Sequence, residues 1–569
     1  TETCQKLSNF YLLHNILEIE KNEGKTINLY KSHNQIVKQT LKNMAEKRKI
    51  VPNYIKDTWD RKFRLLSSSS KNSKEFEHQA KKSRRLLSIR KLIEGFDDLI
   101  FTLFPCFLLT PEVVSEIIPL KKEMFDLVIF DEASQLFIEK AIPSIYRGKK
   151  IVVAGDDKQL RPTSVFLARA VDDLDEENYE YEEIQTVAAL EEESLLDLAK
   201  VNFPHTYLQF HYRSSYRELI DFSNHAFYNA RLYVSPNVNN SKDYRPIERI
   251  KVNGTWNNQT NSEEAMEVVK LVKNLLRTRK ENETIGIITF NIKQKDLIDD
   301  LLEEETSKDE KFRELFLKEI DRMEDNEDKG LFVKNIENVQ GDERDIIILS
   351  TAYAKDSEGR FRFNFGSLSQ DGGENRLNVA ISRARKKIYV ITSFEPEEFN
   401  VETTKNAGPK MFKEYMKYAR AISERNISEA NLILSSLSKN STNEKITLNF
   451  ESIFEEQVYE RLKKSSKIQR LNFDVHTQVE SSGYRIDLAI YDPRTSKYIL
   501  GIECDGATYH SSKSARERDI HRQKFLESKG WTIHRIWSKD WWQNPQKEIE
   551  KIEELLENNA EILPGNTVK

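Results

Sequence analysis

The sequence predicts an α/β protein built on parallel sheets, with a helical N-terminal stretch and a further α/β block at its C-terminal end. Three observations predict it. The runs FDLVIFDE (125–132) and KKIVVAGD (149–156) are short, apolar and end in carboxylates, the mark of buried parallel strands whose carboxyl ends carry function. Apolar strands then alternate with helical stretches through ETIGIITFN (283–291), RDIIILSTAY (344–353) and KKIYVITS (386–393). Finally, residues 449–565 repeat the strand–helix pattern and hold four of the six tryptophans, Trp531, Trp537, Trp541 and Trp542.

The chain has 569 residues, enough for about three or four domains. The expected division is a basic helical stretch at 1–95, the latter part of a first α/β domain at 96–206 and a second at 207–430. A linker at 431–448 and a C-terminal α/β domain at 449–569 follow. Charged residues make up 32% and the net charge is only −5, so global charge names no partner. Local charge is more informative. Residues 1–95 hold 21 Lys/Arg against 10 Asp/Glu, a balance of +11, whereas 171–193 hold 11 acidic residues and no basic one. The first is a candidate nucleic-acid face; the second reads as a surface loop.

Three cysteines (Cys4, Cys106 and Cys504) exclude a disulfide framework and a Cys-rich zinc site, and fit a reducing cytoplasm. No apolar run reaches 18 residues, so no membrane span is expected. The start, TETCQKLSNFYLL, lacks the features of a signal peptide and an initiator Met, from which a fragment is expected. Residues 1–95 read as helices with a break at SSSSKNSK (67–74). NAGPKMFKEYMKYARAIS (406–423) reads as an amphipathic helix closing the second domain, and ILSSLSKNSTNEK (433–445) as the linker.

The first constellation follows the strands. Asp131 and Glu132 end one strand, where Asp131 suits Mg²⁺ and Glu132 suits orienting or deprotonating an attacking water. GDDKQL follows about 24 residues later at the end of the next strand. There Gln159 is placed to sense a γ-phosphate and Asp156 to link to the metal. LQFHYR (208–213) supplies Arg213 as a cationic finger and Tyr212 as a ring to stack near a nucleotide; SRAR (382–385) supplies Arg383. Two arginines on one triphosphate suit a loose, charge-dispersed transition state.

DEAS, GDDKQLRP, HYR, VQGDERD and NVAISRAR, in this order, resemble superfamily 1 helicases, closest to the group containing the nonsense-mediated-decay helicase. The resemblance covers roughly 96–425. It implies two RecA-like domains with ATP between them, a single nucleic-acid strand across their top, and 5′ to 3′ movement. By that resemblance Asp131 and Glu132 serve Mg²⁺ and water, and Gln159, Arg213 and Arg383 contact the γ-phosphate. Gln340, Gly341 and Glu343 couple nucleotide state to the strand, and Thr110 and Pro111 lie near nucleic acid. The phosphate loop G-x-x-x-x-G-K-[ST] is missing. Gly24-Lys25-Thr26 occurs, but Ile19 stands where the first glycine belongs and LLHNILEIEKNE before it reads as helix. The expectation is an ATPase whose phosphate loop comes from a missing N-terminal region or a partner.

The second constellation is C-terminal. RIDLAIYD (485–492) puts Asp487 in an apolar strand, and YILGIECDGATYH (498–510) puts Glu503 and Asp505 at alternate positions of the next. Alternation aims Glu503 and Asp505 at one face, and carboxylates grouped there suit Mg²⁺ or Mn²⁺ that activates water. Glu455 joins from FEEQVYERL (454–462), while Arg518, Arg522 and Gln523, with Lys513 ahead of them, suit phosphates. This block resembles PD-(D/E)XK nucleases, most closely the very-short-patch-repair-like group at the end of large helicase-like proteins. The resemblance implies Asp487, Glu503, Asp505 and Glu455 as site residues. Asp505 stands where the pattern has lysine, leaving His510 and Lys513 as candidates to activate water.

The resulting expectation is an ATP-dependent helicase or translocase on DNA, fused to a metal-dependent endonuclease for DNA processing or defence against foreign DNA. A nucleic-acid-binding regulatory subunit with an inactive ATPase, and an RNA helicase, are the alternatives.

Overall fold

The computed structural model describes residues 24–67, 71–162, 194–239, 244–279, 283–324, 326–361, 365–399, 401, 404–438, 453–481, 484–505 and 513–561, with 11, 14, 15, 18 and 21. Two compact units result: Thr1–Ile129 with Glu139–Val152, and Phe130–Ile138 with Val153–Lys569.

In the first unit the basic stretch is helical where described. Gly24–Ser67 is one helix of 44 residues, and Lys71–Lys81 and Ile89–Gly95 follow. Gly24-Lys25-Thr26 opens the long helix, and Tyr11, His14, Asn15, Glu18 and Lys21 ahead of it are helical too. Among the described residues no strand therefore delivers that tripeptide, as a phosphate nest requires. The core of this unit gathers Ile93, Phe96, Leu99, Ile100 and Ile118, and Trp59 ties the long helix to it by donating to Leu103 O at 3.1 Å. Arg147 is buried, its guanidinium donating to the carbonyls of Pro119, Pro143 and Ile118 at 3.1, 2.6 and 2.8 Å.

Strands β1 (Val128–Phe130) and β2 (Ile151–Val153) form a two-stranded sheet. Their apolar composition is that of a covered sheet, yet Ile129 is 63% and Val152 49% exposed.

The second unit is built on a five-stranded parallel sheet. Its strands are β3 (Ile247–Lys251), β4 (Ile285–Thr289), β7 (Phe332–Asn335), β8 (Arg344–Ser350) and β9 (Ala384–Thr392), in the order β3-β9-β8-β4-β7. The short strands β5 (Met323–Glu324) and β6 (Glu327–Asp328) pair separately. The period of two divides β8 between two cores. Ile347 and Leu349 pack toward helices Gly373–Ile381, Ala407–Ser423 and Ile427–Leu437, while Ile346 and Ile348 pack toward Ser262–Thr278 and Ile292–Lys308. All seven residues of β8 are buried, which is why its centre, Ile346 to Leu349, reads as an unbroken apolar run. The edge strands β3 and β7 interleave charged residues with apolar ones and escape the sequence reading.

The linker expectation is corrected at its start. Helix Ile427–Leu437 runs into the stretch 431–448 because Ala430, Ile433 and Leu434 bury one face of it. Residues 439–452, like the acidic run at 171–193, lie outside the described residues.

The C-terminal sheet has the order β10-β11-β12-β13: β10 (Asp474–Ser481), β11 (Tyr484–Asp492), β12 (Lys497–Asp505) and β13 (Ile533–Trp537). The first three are antiparallel, and β13 joins β12 in parallel. Trp531 and Trp541 are core residues, whereas Trp537 and Trp542 are exposed. No described helix is long and apolar enough to cross a membrane.

Candidate active sites

The carboxyl end of β1 turns sharply. Glu132 adopts a left-handed backbone, φ +51°, uncommon for a residue with a side chain and often a sign of function. Its amide donates to Asp131 Oδ1 at 3.0 Å. The turn after β2 packs close by: a Cβ on Gly155 would sit 3.0–3.1 Å from the backbone nitrogens of Ser134 and Ala133, so glycine permits the approach. Asp156 then organises its own loop. It accepts from Lys158 N at 2.9 Å, from Gln159 Nε2 at 2.9 Å and from Tyr228 OH at 2.7 Å.

Gln340, in the loop between β7 and β8, ties these loops to the five-stranded domain. Its Nε2 donates to Glu132 Oε2 at 2.9 Å, and its Oε1 accepts from Leu160 N at 3.3 Å. Asn378 adds a second tie, donating to Lys158 O at 2.7 Å and Tyr228 OH at 3.0 Å.

The cations sit on the same domain. Arg213 Nε donates to Glu343 Oε2 at 2.8 Å, and its Nη1 reaches Ser382 O at 3.4 Å. Burial pushes the Glu343 carboxyl up, but the hydrogen bond and charge of Arg213, with Arg385 and Lys329, outweigh it and hold it below the usual range. Arg383 is buried. It donates to Val379 O at 2.8 Å and more loosely to Asp342 O at 3.4 Å and Ser382 Oγ at 3.3 Å. Burial, then the charge of Arg213, lowers its pKa to about 10. No ion pair to a described carboxylate neutralises it. Tyr212 is 73% exposed, its ring open to a partner. Beside it, burial, then the charges of Arg213 and Lys529, push His211 down to about 3. The neutral ring accepts from Ser214 N at 3.0 Å through Nε2, and lies 3.0 Å from Ser214 Oγ.

At the other end of the chain, Asp487 and Glu503 sit on neighbouring strands. Burial, opposed by a hydrogen bond from Cys504 N at 2.8 Å and aggravated by the nearby Glu455 and Glu503 charges, raises Asp487 to about 7. Glu455 is buried and accepts from Gln478 Nε2 at 2.9 Å. Glu503 and Asp505 do share a face, because one guanidinium spans them: Arg535 lies 2.9 Å from Glu503 Oε2 and 3.3 Å from Asp505 Oδ2. Arg522 approaches Glu503 Oε1 at 3.3 Å and donates to Arg485 O.

Two expectations meet this arrangement. Among the described residues no group of three His, Cys, Asp or Glu side chains is arranged to hold a metal ion. Of the expected set, Glu503 and Asp505 are paired with arginines, whereas Asp487 accepts from Cys504 N and Glu455 from Gln478 Nε2, so with those arginines in place the set does not fit a cation. Arg522, expected on phosphate, is engaged with Glu503. Arg518 and Lys513 lie on helix Lys513–Ser528 with side chains outside the described residues, as is His510. Thr110 belongs to the first unit, where its hydroxyl caps helix Pro111–Ile117 by accepting from Val113 N at 3.4 Å. Pro111 at the first helical position suits the same start.

Sequence reasoning missed Tyr228, Asn378, Arg535 and Lys529. Asn378 lies within the NVAISRAR motif and was findable there. The others carry no local signal.

Three family models match the chain. Two described as AAA domain cover residues 3–165 and 191–395, and one described as REase_MTES_1575 covers 454–556. The chain carries superfamily 1 helicase domains joined to a C-terminal restriction-endonuclease-like domain. Among curated relatives, an ATP-dependent helicase of Mycoplasma pneumoniae is 33% identical over 80% of this chain and 39% of its own length. Its counterpart in Mycoplasma genitalium is 33% identical over 81% of this chain and 39% of its own length. An ATP-dependent helicase of Methanocaldococcus jannaschii is 24% identical over 59% and 46%. The chain thus spans about two fifths of the length of the first two. In helicase terms, the strand-end acids, Gln340 and the arginines all fall within one structural unit of this chain.

Proposed function

We propose that the chain is the working part of an ATP-dependent motor on nucleic acid, DNA in the first instance, coupled to a nuclease. The observation that carries the reading is Gln340, which joins the Glu132 turn to the domain holding Arg213 and Arg383. Glu132 orients the attacking water, and Gln159, held by Asp156, faces the γ-phosphate. Arg213 and Arg383 stabilise charge on the transferring phosphoryl group. Tyr212 stacks near the base. Asp131 is the residue that would hold Mg²⁺, which when bound neutralises triphosphate charge. Glu343 steers Arg213 and, with Gln340, couples the nucleotide to the strand. The sequence holds no G-x-x-x-x-G-K-[ST]. The exposed apolar β1–β2 sheet supports a reading in which further strands, including the one bearing that loop, cover it.

For the C-terminal domain the reading is an endonuclease using Asp487 and Glu503, with Arg518 on phosphate; Asp487 and Glu503 would hold a divalent ion, which would supply an activated water, only with Arg522 and Arg535 off Glu503. A second reading, a nuclease fold that binds without cutting, is favoured by those same arginines. The test is made on the full-length protein. ATP hydrolysis in the presence of single-stranded DNA is expected, with a loss of about 10²–10⁴-fold in Glu132→Gln. Cleavage of DNA in Mg²⁺ or Mn²⁺ is expected to vanish in Glu503→Ala. Hydrolysis unaffected by Glu132→Gln defeats the motor assignment, and cleavage surviving Glu503→Ala defeats the nuclease one.

A further inference from the structure

The nuclease-like domain touches the helicase domain at the segment that carries Arg213. Lys529 follows helix Lys513–Ser528, and its Nζ donates to the carbonyls of Tyr212 and of Ser214, the latter at 2.8 Å. Phe525, one turn earlier, packs its ring 5.7 Å from Phe210. Trp531 Nε1 donates to Pro236 O at 3.0 Å, and Tyr498 N donates to Val238 O at 3.0 Å. Leu526, Trp531, Ile486 and Ala489 form one apolar cluster against Tyr233 and Val238.

The peptide groups around Arg213 are each held. The 212–213 peptide is held through Tyr212 O by Lys529. The 213–214 peptide is held through Ser214 N by His211 at 3.0 Å. The 214–215 peptide is held from both ends, its carbonyl by Lys529 and its amide by Arg385 O at 2.7 Å. Lys529 therefore supplies two of the four bonds that set the backbone from which Arg213 extends, and it is the one contributor from outside the helicase domains. The ammonium is half-buried, and burial, then the charge of Arg385, lowers its pKa to about 8.

We infer that Lys529 is a positioning residue for Arg213: the docked nuclease-like domain fixes the arginine loop, so ATP turnover by the motor depends on the C-terminal domain. The inference rests on Arg213 acting on the triphosphate. Its energetic basis is preorganisation, since an arginine delivered from a fixed backbone reaches the phosphoryl group without first ordering its loop.

The experiment compares full-length wild type with Lys529→Met, Lys529→Arg and a control, Lys524→Met, whose side chain is exposed on the same helix. In DNA-stimulated ATP hydrolysis, Lys529→Met is expected to lower kcat by about 10- to 100-fold with KM for ATP little changed. Lys529→Arg is expected to recover most of the rate, and Lys524→Met to match wild type. A second readout needs no turnover: amide exchange at Ser214 and Ser215 is expected to quicken in Lys529→Met only. Unchanged kcat together with unchanged protection in Lys529→Met overturns the inference. A wild-type protein that hydrolyses no ATP defeats the motor reading itself, and the exchange measurement still decides whether Lys529 holds the loop.

Discussion

Arg383 and Glu503, one in each candidate site, hold their charges in opposite ways. In the helicase domains Arg383 is buried on a carbonyl, with two further contacts at 3.3 and 3.4 Å, and feels the Glu132 and Glu343 charges without an ion pair to a described carboxylate. In the nuclease-like domain the buried Glu503 has two arginines within 3.3 Å. Arg147 calibrates the first case. It too is buried on carbonyls, but with all three contacts at 2.6–3.1 Å, the geometry of a cation whose partners are complete. A buried charge held loosely and without a counterion is prepared for a ligand of opposite sign. One already matched by counterions must exchange them before it can act. Arg383 is thus free to meet an anion without giving up an ion pair, whereas Arg213, on Glu343 at 2.8 Å, and Glu503, on two arginines, each have a partner to exchange.

The largest test of that contrast is Arg535→Ala. Arg535 holds both Glu503 and Asp505, and its removal leaves Glu503 with Arg522 alone and Asp505 without this partner, so a loss of about 2–4 kcal/mol of stability is expected for the C-terminal domain, read from denaturant unfolding. A loss under about 1 kcal/mol would mean that Glu503 is not relying on its counterion.

A smaller effect sits at His211. Its folded pKa, about 3, lies below the unfolded value of 6.5, so the unfolded chain binds the extra proton. The neutral ring therefore stabilises the fold fully above pH 6.5, and this contribution is lost as pH falls toward 3, at up to about 1.4 kcal/mol per pH unit. His211→Gln is expected to flatten that part of the stability–pH curve relative to wild type. An unchanged slope would separate His211 from the arginine loop.

The smallest effect is at Thr110. Thr110→Val removes a helix cap and is expected to cost about 1 kcal/mol in thermal unfolding. A fall in DNA affinity beyond what that destabilisation explains would make it a contact to nucleic acid as well.

Much of the second helicase domain was legible because β4 and β8 are buried throughout and β9 over its C-terminal end, so each carries an apolar run. The edge strand β3, reading IERIK, carries no such signal. Within the candidate sites, the proposed residues that end strands or sit in ordered motifs could be named from the sequence, and the structure brings Gln340 to Glu132, Glu343 to Arg213 and Asp487 to the strand of Glu503. Partnership was not legible. Nothing local says that Arg535, 32 residues beyond Glu503, returns beside it through parallel pairing of β12 and β13. Nothing in HYRSS says that a lysine more than 300 residues later meets its backbone. Tyr228 is invisible for the same reason, since its hydroxyl finds Asp156 only after folding.

The C-terminal domain grips its neighbour by main-chain atoms: the carbonyls of Tyr212, Ser214, Pro236 and Val238. The polar part of this grip reads the course of the chain, and Phe210, Tyr233 and Val238 add side chains to it. A domain of this kind is transplantable to any motor whose backbone follows the same path, which makes the join a socket rather than a lock.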